Sequence, residues 1–129
     1  MSPDRLAEPT AVATGPLVET FAVNELVRQV SRFGDALGVT LYHYRTHGGT
    51  EIDVIAEADD GRLVAIEIKA AASARGQHFS QLAALRDRID SLPDMEFVRG
   101  IVLYTGTRAH RFGDRLDAVP LGALWLPAR

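Results

Sequence analysis

Apolar positions change period several times along this chain, and each change marks an element. From Leu17 to about Leu37 they recur at helical spacing: at ~100° per residue, Val18, Ala22, Phe33, Leu26, Val30, Val23 and Val27 form one arc. Asn24, Arg28, Ser31 and Arg32 fall on the wet side. Gly15-Pro16 predicts the helix start, with proline at the first helical position, and Gly34 the point where the helix frays. Val39 to Arg45 then reads as a strand of β-branched and aromatic residues, closed by the turn His47-Gly48-Gly49. Glu51 to Glu57 and Arg62 to Lys69 flank Ala58-Asp59-Asp60-Gly61, which predicts a hairpin. Val64, Ile66 and Ile68 are expected on one face and Glu67 and Lys69 on the other, with Ile52 and Val54 pointing opposite to Asp53. On this pattern one hairpin face is apolar and the other carries the charges.

Beyond the hairpin, Ala70 to Gly76 is a small-residue loop and Gln77 to Leu92 a second helix with Phe79, Leu82, Leu85 and Ile89 inward, ended by Pro93-Asp94. Phe97 to Tyr104 is apolar enough to be buried on both faces of a mixed sheet. Thr105 to Asp114 reads as a loop, and Leu116 to Pro127 as an edge strand or short turn covering the core. Met1 to Thr14, poor in large apolar residues and carrying Pro3 and Pro9, reads as a leader or linker remnant, which leaves 15–129 as a single domain.

Composition narrows the class. A chain of 129 residues is long enough to bury roughly two-thirds of its unfolded surface in one core. No apolar run approaches ~20 residues and no signal peptide opens the sequence, so the expectation is a cytoplasmic, unanchored protein. The absence of cysteine excludes disulfides and thiolate metal sites. A net charge of −3 argues against a protein that coats nucleic acid, yet the charge is uneven. Residues 1–69 hold 6 basic and 11 acidic side chains, whereas residues 70–129 hold 8 and 6.

Candidate chemistry centres on the hairpin. Asp53 in one arm faces Glu67 and Lys69 in the other, and two carboxylates suit a hard cation such as Mg²⁺ or Mn²⁺. A lysine two residues beyond the second acid points the same way, where it can orient a water or neutralise charge developing on a phosphate. The alternative is an ordinary solvated ion pair between Glu67 and Lys69. Glu19 falls near the middle of the helical arc, so its carboxylate is expected to turn toward the acids; the alternative is a first-turn acid bent out to water. Glu25 lies at the edge of the arc, where a surface ion pair with Arg28 is expected, and it is held with Gln81 as a secondary candidate. Arg75, Arg108 and Arg111 are candidate nucleic-acid contacts, while His43 and His47 read as exposed strand and turn residues rather than metal ligands.

An acid, a hairpin turn and then Glu-x-Lys within an apolar strand resembles the PD-(D/E)xK nucleases, here as Asp53, Glu67 and Lys69. More narrowly, the chain is similar to the uncharacterised C-terminal domain carried by a family of bacterial AAA-type ATPases. Stretches that carry the likeness are Gly15 to Phe21, Asn24-Glu25-Leu26, Tyr44-Arg45-Thr46, Glu51-Ile52-Asp53, Ile66 to Ala70, Gly100 to Gly106 and Leu124-Trp125; His78 and Gln81 depart from it. The resemblance implies an α/β, restriction-endonuclease-like core of helix-strand-strand-strand-helix-strand, a mixed central sheet flanked by helices. It also implies Glu19 as a third metal-side acid and Lys69 as a catalytic cation. The function expected is a Mg²⁺- or Mn²⁺-dependent phosphodiesterase acting on nucleic acid, DNA first, attached to an ATPase. A catalytically silent binding or regulatory module of an ATPase is the alternative.

Overall fold

The structure, a computed structural model, describes residues 11–125; for 11–16, 31–37 and 125 it describes the backbone alone. The elements in chain order are helix α1 (Ala11–Leu37), strands β1 (Val39–Arg45), β2 (Glu51–Ala58) and β3 (Arg62–Lys69), a 3₁₀ turn at Gly76–Phe79, helix α2 (Ser80–Asp90), then β4 (Glu96–Tyr104), β5 (His110–Gly113), β6 (Leu116–Pro120) and a 3₁₀ turn at Leu121–Trp125. The strands form one six-stranded mixed sheet in the order β1-β2-β3-β4-β6-β5. The β1, β2 and β3 run is antiparallel, β3/β4 and β4/β6 are parallel, and β5 returns antiparallel along β6.

Each face of the sheet carries its own apolar cluster. Phe79, Leu82, Leu85 and Ile89 of α2 and the turn before it pack with Ile52, Ile55, Leu63, Ala65, Phe97 and Val102. On the opposite face Ala22 of α1 packs with Val54, Ile66, Ile68 and Leu103, with Val18 and Leu26 partly buried beside them. Phe97 is fully buried, the kind of side chain whose truncation costs about 3–5 kcal/mol. Among the described residues no helix is long and apolar enough to cross a membrane.

The strands and the second helix lie close to where the apolar pattern puts them, but several expectations are corrected. Helix α1 begins at Ala11, so Gly15 and Pro16 lie inside it and the backbone of residues 11–14 is helical. A proline in the second turn removes a single ladder bond, which a helix of 27 residues absorbs. The backbone also stays helical past Gly34. Residues 1–10, the Phe33 position of the arc and Leu126 lie outside the described side chains. The buried arc of α1 is turned from the expected phase: Val27 is 46% exposed, whereas Glu25 is 8% exposed. Arg28 and Gln29 both donate to the Glu25 carboxylate, and Gln29 also donates to the Leu124 carbonyl, so this polar edge is covered by the turn at Leu121–Trp125.

Three strand expectations also change. The hairpin has no charged face as such, because Leu63 and Ala65 are buried on the side that Glu67 shares. Thr105 to Asp114 is not wholly loop, since it contains β5, and β6 is not an edge strand: it lies between β4 and β5.

Candidate active site

The site is built where the β2 and β3 ladder stops. The pairing of the two strands runs up to Val54 opposite Ile66. Continued by one step, it would oppose Asp53 and Glu67, and there side chains take over from the backbone. The Asp53 N–H donates to Glu67 Oε1 at 2.8 Å, and the Ile68 N–H donates to Asp53 Oδ2 at 2.8 Å. Each acid is thus fixed by the strand that bears the other. Because β3 goes on pairing with β4 as far as Lys69 opposite Tyr104, Glu67 and Lys69 sit on rigid backbone.

A bulge explains how Asp53 reaches this position. Tyr42 pairs with Ile55 and Tyr44 with Ile52, so His43 alone stands opposite Asp53 and Val54. Two residues against one interrupt the alternation and re-aim the side chains next to the irregularity. Ile52 accordingly packs on the α2 face and Val54 on the α1 face, where strict alternation puts both opposite Asp53. Simple period-two counting could not reveal the extra residue.

Lys69 Nζ lies 3.6 Å from Glu67 Oε2. Glu67 is 5% exposed, and burial first, then the charge of Asp53, push its carboxyl above the ordinary carboxylate range; the Asp53 amide and Lys69 act in the other direction. Glu19, from α1, comes within hydrogen-bonding reach of Asp53. Partial burial against the sheet, followed by the Asp53 charge and that hydrogen bond, raises its proton affinity, while Lys69 and His43 lower it. The residue itself is exposed, so Glu19 reaches the acids from the rim rather than from inside the core.

The remaining candidates take different places. The Glu51 N–H donates to Gln81 Oε1 at 2.7 Å, so Gln81 ties α2 to the start of β2 rather than touching the acids. Glu25 is engaged by Arg28 and Gln29 as described above. Arg111 lies 3.7 Å from Asp117 in an ion pair. Arg75 and Arg108 line two shallow clefts of about 290 and 360 Å³ that share Ala72 and Ser73. His47 is exposed, as is His43, but His43 has its Nδ1 3.3 Å from the Asp53 carbonyl oxygen and its Nε2 3.2 Å from Glu51 Oε1. Nothing in the residue pattern places His43 beside the acids, because that contact follows from the bulge. His78 was likewise not singled out as a neighbour of the site; burial, then the charges of Lys69 and Arg75, lower its proton affinity.

Among the described residues no group of three or more carboxylate or imidazole side chains is arranged to hold a metal ion. The chain's clearest donor set is the Asp53 and Glu67 pair, each with one oxygen anchored by a backbone amide. That set fits Mg²⁺, which is commonly bound through one or two carboxylates plus waters and substrate phosphate rather than by an all-protein cage.

A family model described as a domain of unknown function, DUF4143, matches residues 14–124. The chain belongs to that family. The stretch matched to DUF4143 includes Glu19, Asp53, Glu67, Lys69 and the residues that line the two clefts. No curated protein and no solved structure matches this DUF4143 chain.

Proposed function

We propose that this chain is a divalent-metal-dependent phosphodiesterase domain of the PD-(D/E)xK type, with a restriction-endonuclease-like core, acting on nucleic acid with DNA as the favoured substrate and working attached to an AAA-type ATPase. The observation that carries the reading is the crossed pair of hydrogen bonds that fixes Asp53 and Glu67 against each other, with Lys69 at the same mouth. A structural ion pair needs no such arrangement. Burial first, then the neighbouring Asp53 charge, disfavour the ionised form of Glu67, a cost that a bound cation would offset.

When bound, Mg²⁺ or Mn²⁺ polarises a phosphoryl oxygen and acidifies a water. The chain's residues supply the rest. Asp53 Oδ2 and Glu67 Oε1 are each anchored by a backbone amide, which leaves Asp53 Oδ1 and Glu67 Oε2, the oxygen 3.6 Å from Lys69 Nζ, as the atoms that would hold the cation. Lys69, as an ammonium on the same strand face as Glu67, donates hydrogen bonds to charge that develops on the phosphate as water attacks phosphorus and the bridging oxygen leaves. Glu19, beside Asp53, accepts from waters at the rim.

The alternative is a nuclease-like module of an ATPase that binds without turnover. The two readings part on a cleavage assay. Purified chain is incubated with Mg²⁺ or Mn²⁺ and a panel of DNA and RNA substrates, with Asp53→Ala as control. Metal-dependent cleavage lost in Asp53→Ala is the expected result; cleavage that persists in that variant, or none with any substrate, removes the enzyme reading.

A further inference from the structure

Close to the acid pair lies a surface of opposite character. No acidic residue occurs from Ile68 to Arg86 or from Phe97 to Gly113, and the first of these stretches carries Lys69 and Arg75, the second Arg108 and Arg111. The fold brings the two together: Lys69 pairs with Tyr104 across β3 and β4, and the Thr105 N–H donates to the Ala71 carbonyl. The 71–74 loop then separates two open clefts, one lined by Arg75 and His78 and the other by Arg108 and His110. Among the described residues Arg111 is paired with Asp117, whereas no ion pair is formed by Arg75 or Arg108. The Tyr104 hydroxyl donates to the Arg108 carbonyl, which holds the second cleft's loop in place.

An aromatic ring stands at the same surface. Phe112, on the edge strand β5, is 41% exposed although it is stacked on the buried Phe79 with centroids 4.4 Å apart and planes 15° apart. The stack covers one face of the ring and fixes its orientation. His110 lies 6.2 Å from Phe112 and the same distance from Tyr104. An exposed, oriented aromatic ring beside unpaired guanidinium groups is the combination used to bind single strands, where bases stack and phosphates follow a positive groove. A base pair inside a duplex has no free face to offer such a ring.

We propose that this surface is a platform for unpaired nucleic acid, with Arg75 and Arg108 on phosphates and Phe112 beneath a base, so that single strands or frayed ends rather than intact duplex are led to Asp53 and Glu67. The substrate assignment rests on the phosphodiesterase reading; the binding surface can be tested apart from it.

The test is fluorescence anisotropy of the full chain with labelled oligo-dT, oligo-rU and a blunt DNA duplex of equal length, in EDTA so that nothing is cut. At least one single strand should bind about tenfold or more tighter than duplex, and Phe112→Ala or Arg108→Ala should each weaken it about fivefold or more. Phe112→Leu keeps an apolar cover on Phe79 and loses the aromatic face, so it should weaken strand binding while thermal unfolding stays near that of the parent. Duplex binding as tight as the tighter-bound strand, or unchanged strand binding in Phe112→Leu, overturns the inference. Cleavage with Mn²⁺ confined to duplex would overturn it too and leave the phosphodiesterase reading standing. Tight strand binding with no cleavage would uphold the platform and sink that reading instead.

Discussion

Glu67 is buried, accepts a backbone hydrogen bond from Asp53 and still holds its proton more tightly than a free glutamate. A carboxyl whose proton affinity is raised by folding contributes stability that is complete below its ordinary value of 4.5 and is lost as pH rises through the higher folded value. In EDTA, Glu67→Gln should therefore melt above the parent at neutral pH by a few degrees, the scale of about 1 kcal/mol for a chain of this size. The difference should close as the pH approaches 4.5, which differential scanning calorimetry across that range would show. A variant that melts lower at every pH would mean that Lys69 and the Asp53 amide outweigh burial. The acids and the lysine were legible in the sequence as residue types at a spacing. Their crossed hydrogen bonds were not, because those depend on where the ladder ends.

At the scale of elements, α1 shows what a helical wheel misses. Counting apolar residues put Glu25 at the edge and Val27 in the arc, whereas a polar trio of Glu25, Arg28 and Gln29 closes against the Leu124 carbonyl and Val27 faces out. A buried carboxylate with its own partners looks the same in sequence as a surface one. Glu25→Ala should cost about 1–2 kcal/mol in urea unfolding, since it strips a buried acceptor from two donors. Glu19→Gln should leave stability nearly unchanged and depress metal-dependent cleavage by an order of magnitude or more. The reverse pattern would place the working acid at Glu25. The hairpin turn depends on Gly61 in a different way: its φ is +92°, and a Cβ there would sit 2.3 Å from the Asp94 carbonyl oxygen. Gly61→Ala should destabilise by about 1–3 kcal/mol, the usual cost of a strained backbone position, with the Glu96 N–H to Gly61 carbonyl bond at the β4 entry disturbed as well. Asp-Gly at a hairpin was readable from local turn chemistry. By contrast β5 and β6 were misplaced because a four-residue strand has too few positions to show a period, and the parallel docking of β6 on β4 is long-range information.

For the molecule as a whole, the sheet order explains why the charge is divided along the chain. The acidic first half supplies Glu19, Asp53 and Glu67, and the basic second half supplies Arg108 on the far side of β4, with Lys69 at the join. Charge counts alone could show the asymmetry but not that the stretch after Lys69 runs beside Tyr104 and Thr105 at the start of the basic loop. The proposed activity stands or falls with a divalent-cation site formed by Asp53 and Glu67 together. Its most direct test is a Mn²⁺ titration of the chain followed by electron paramagnetic resonance, without nucleic acid, with Asp53→Asn and Glu25→Gln in parallel. Bound Mn²⁺ should appear in the parent and in Glu25→Gln. In Asp53→Asn affinity should fall by more than the roughly tenfold that follows loss of even a supporting neighbour of a metal ligand. Equal Mn²⁺ binding by the parent and Asp53→Asn, or none by the parent at millimolar metal, would contradict it.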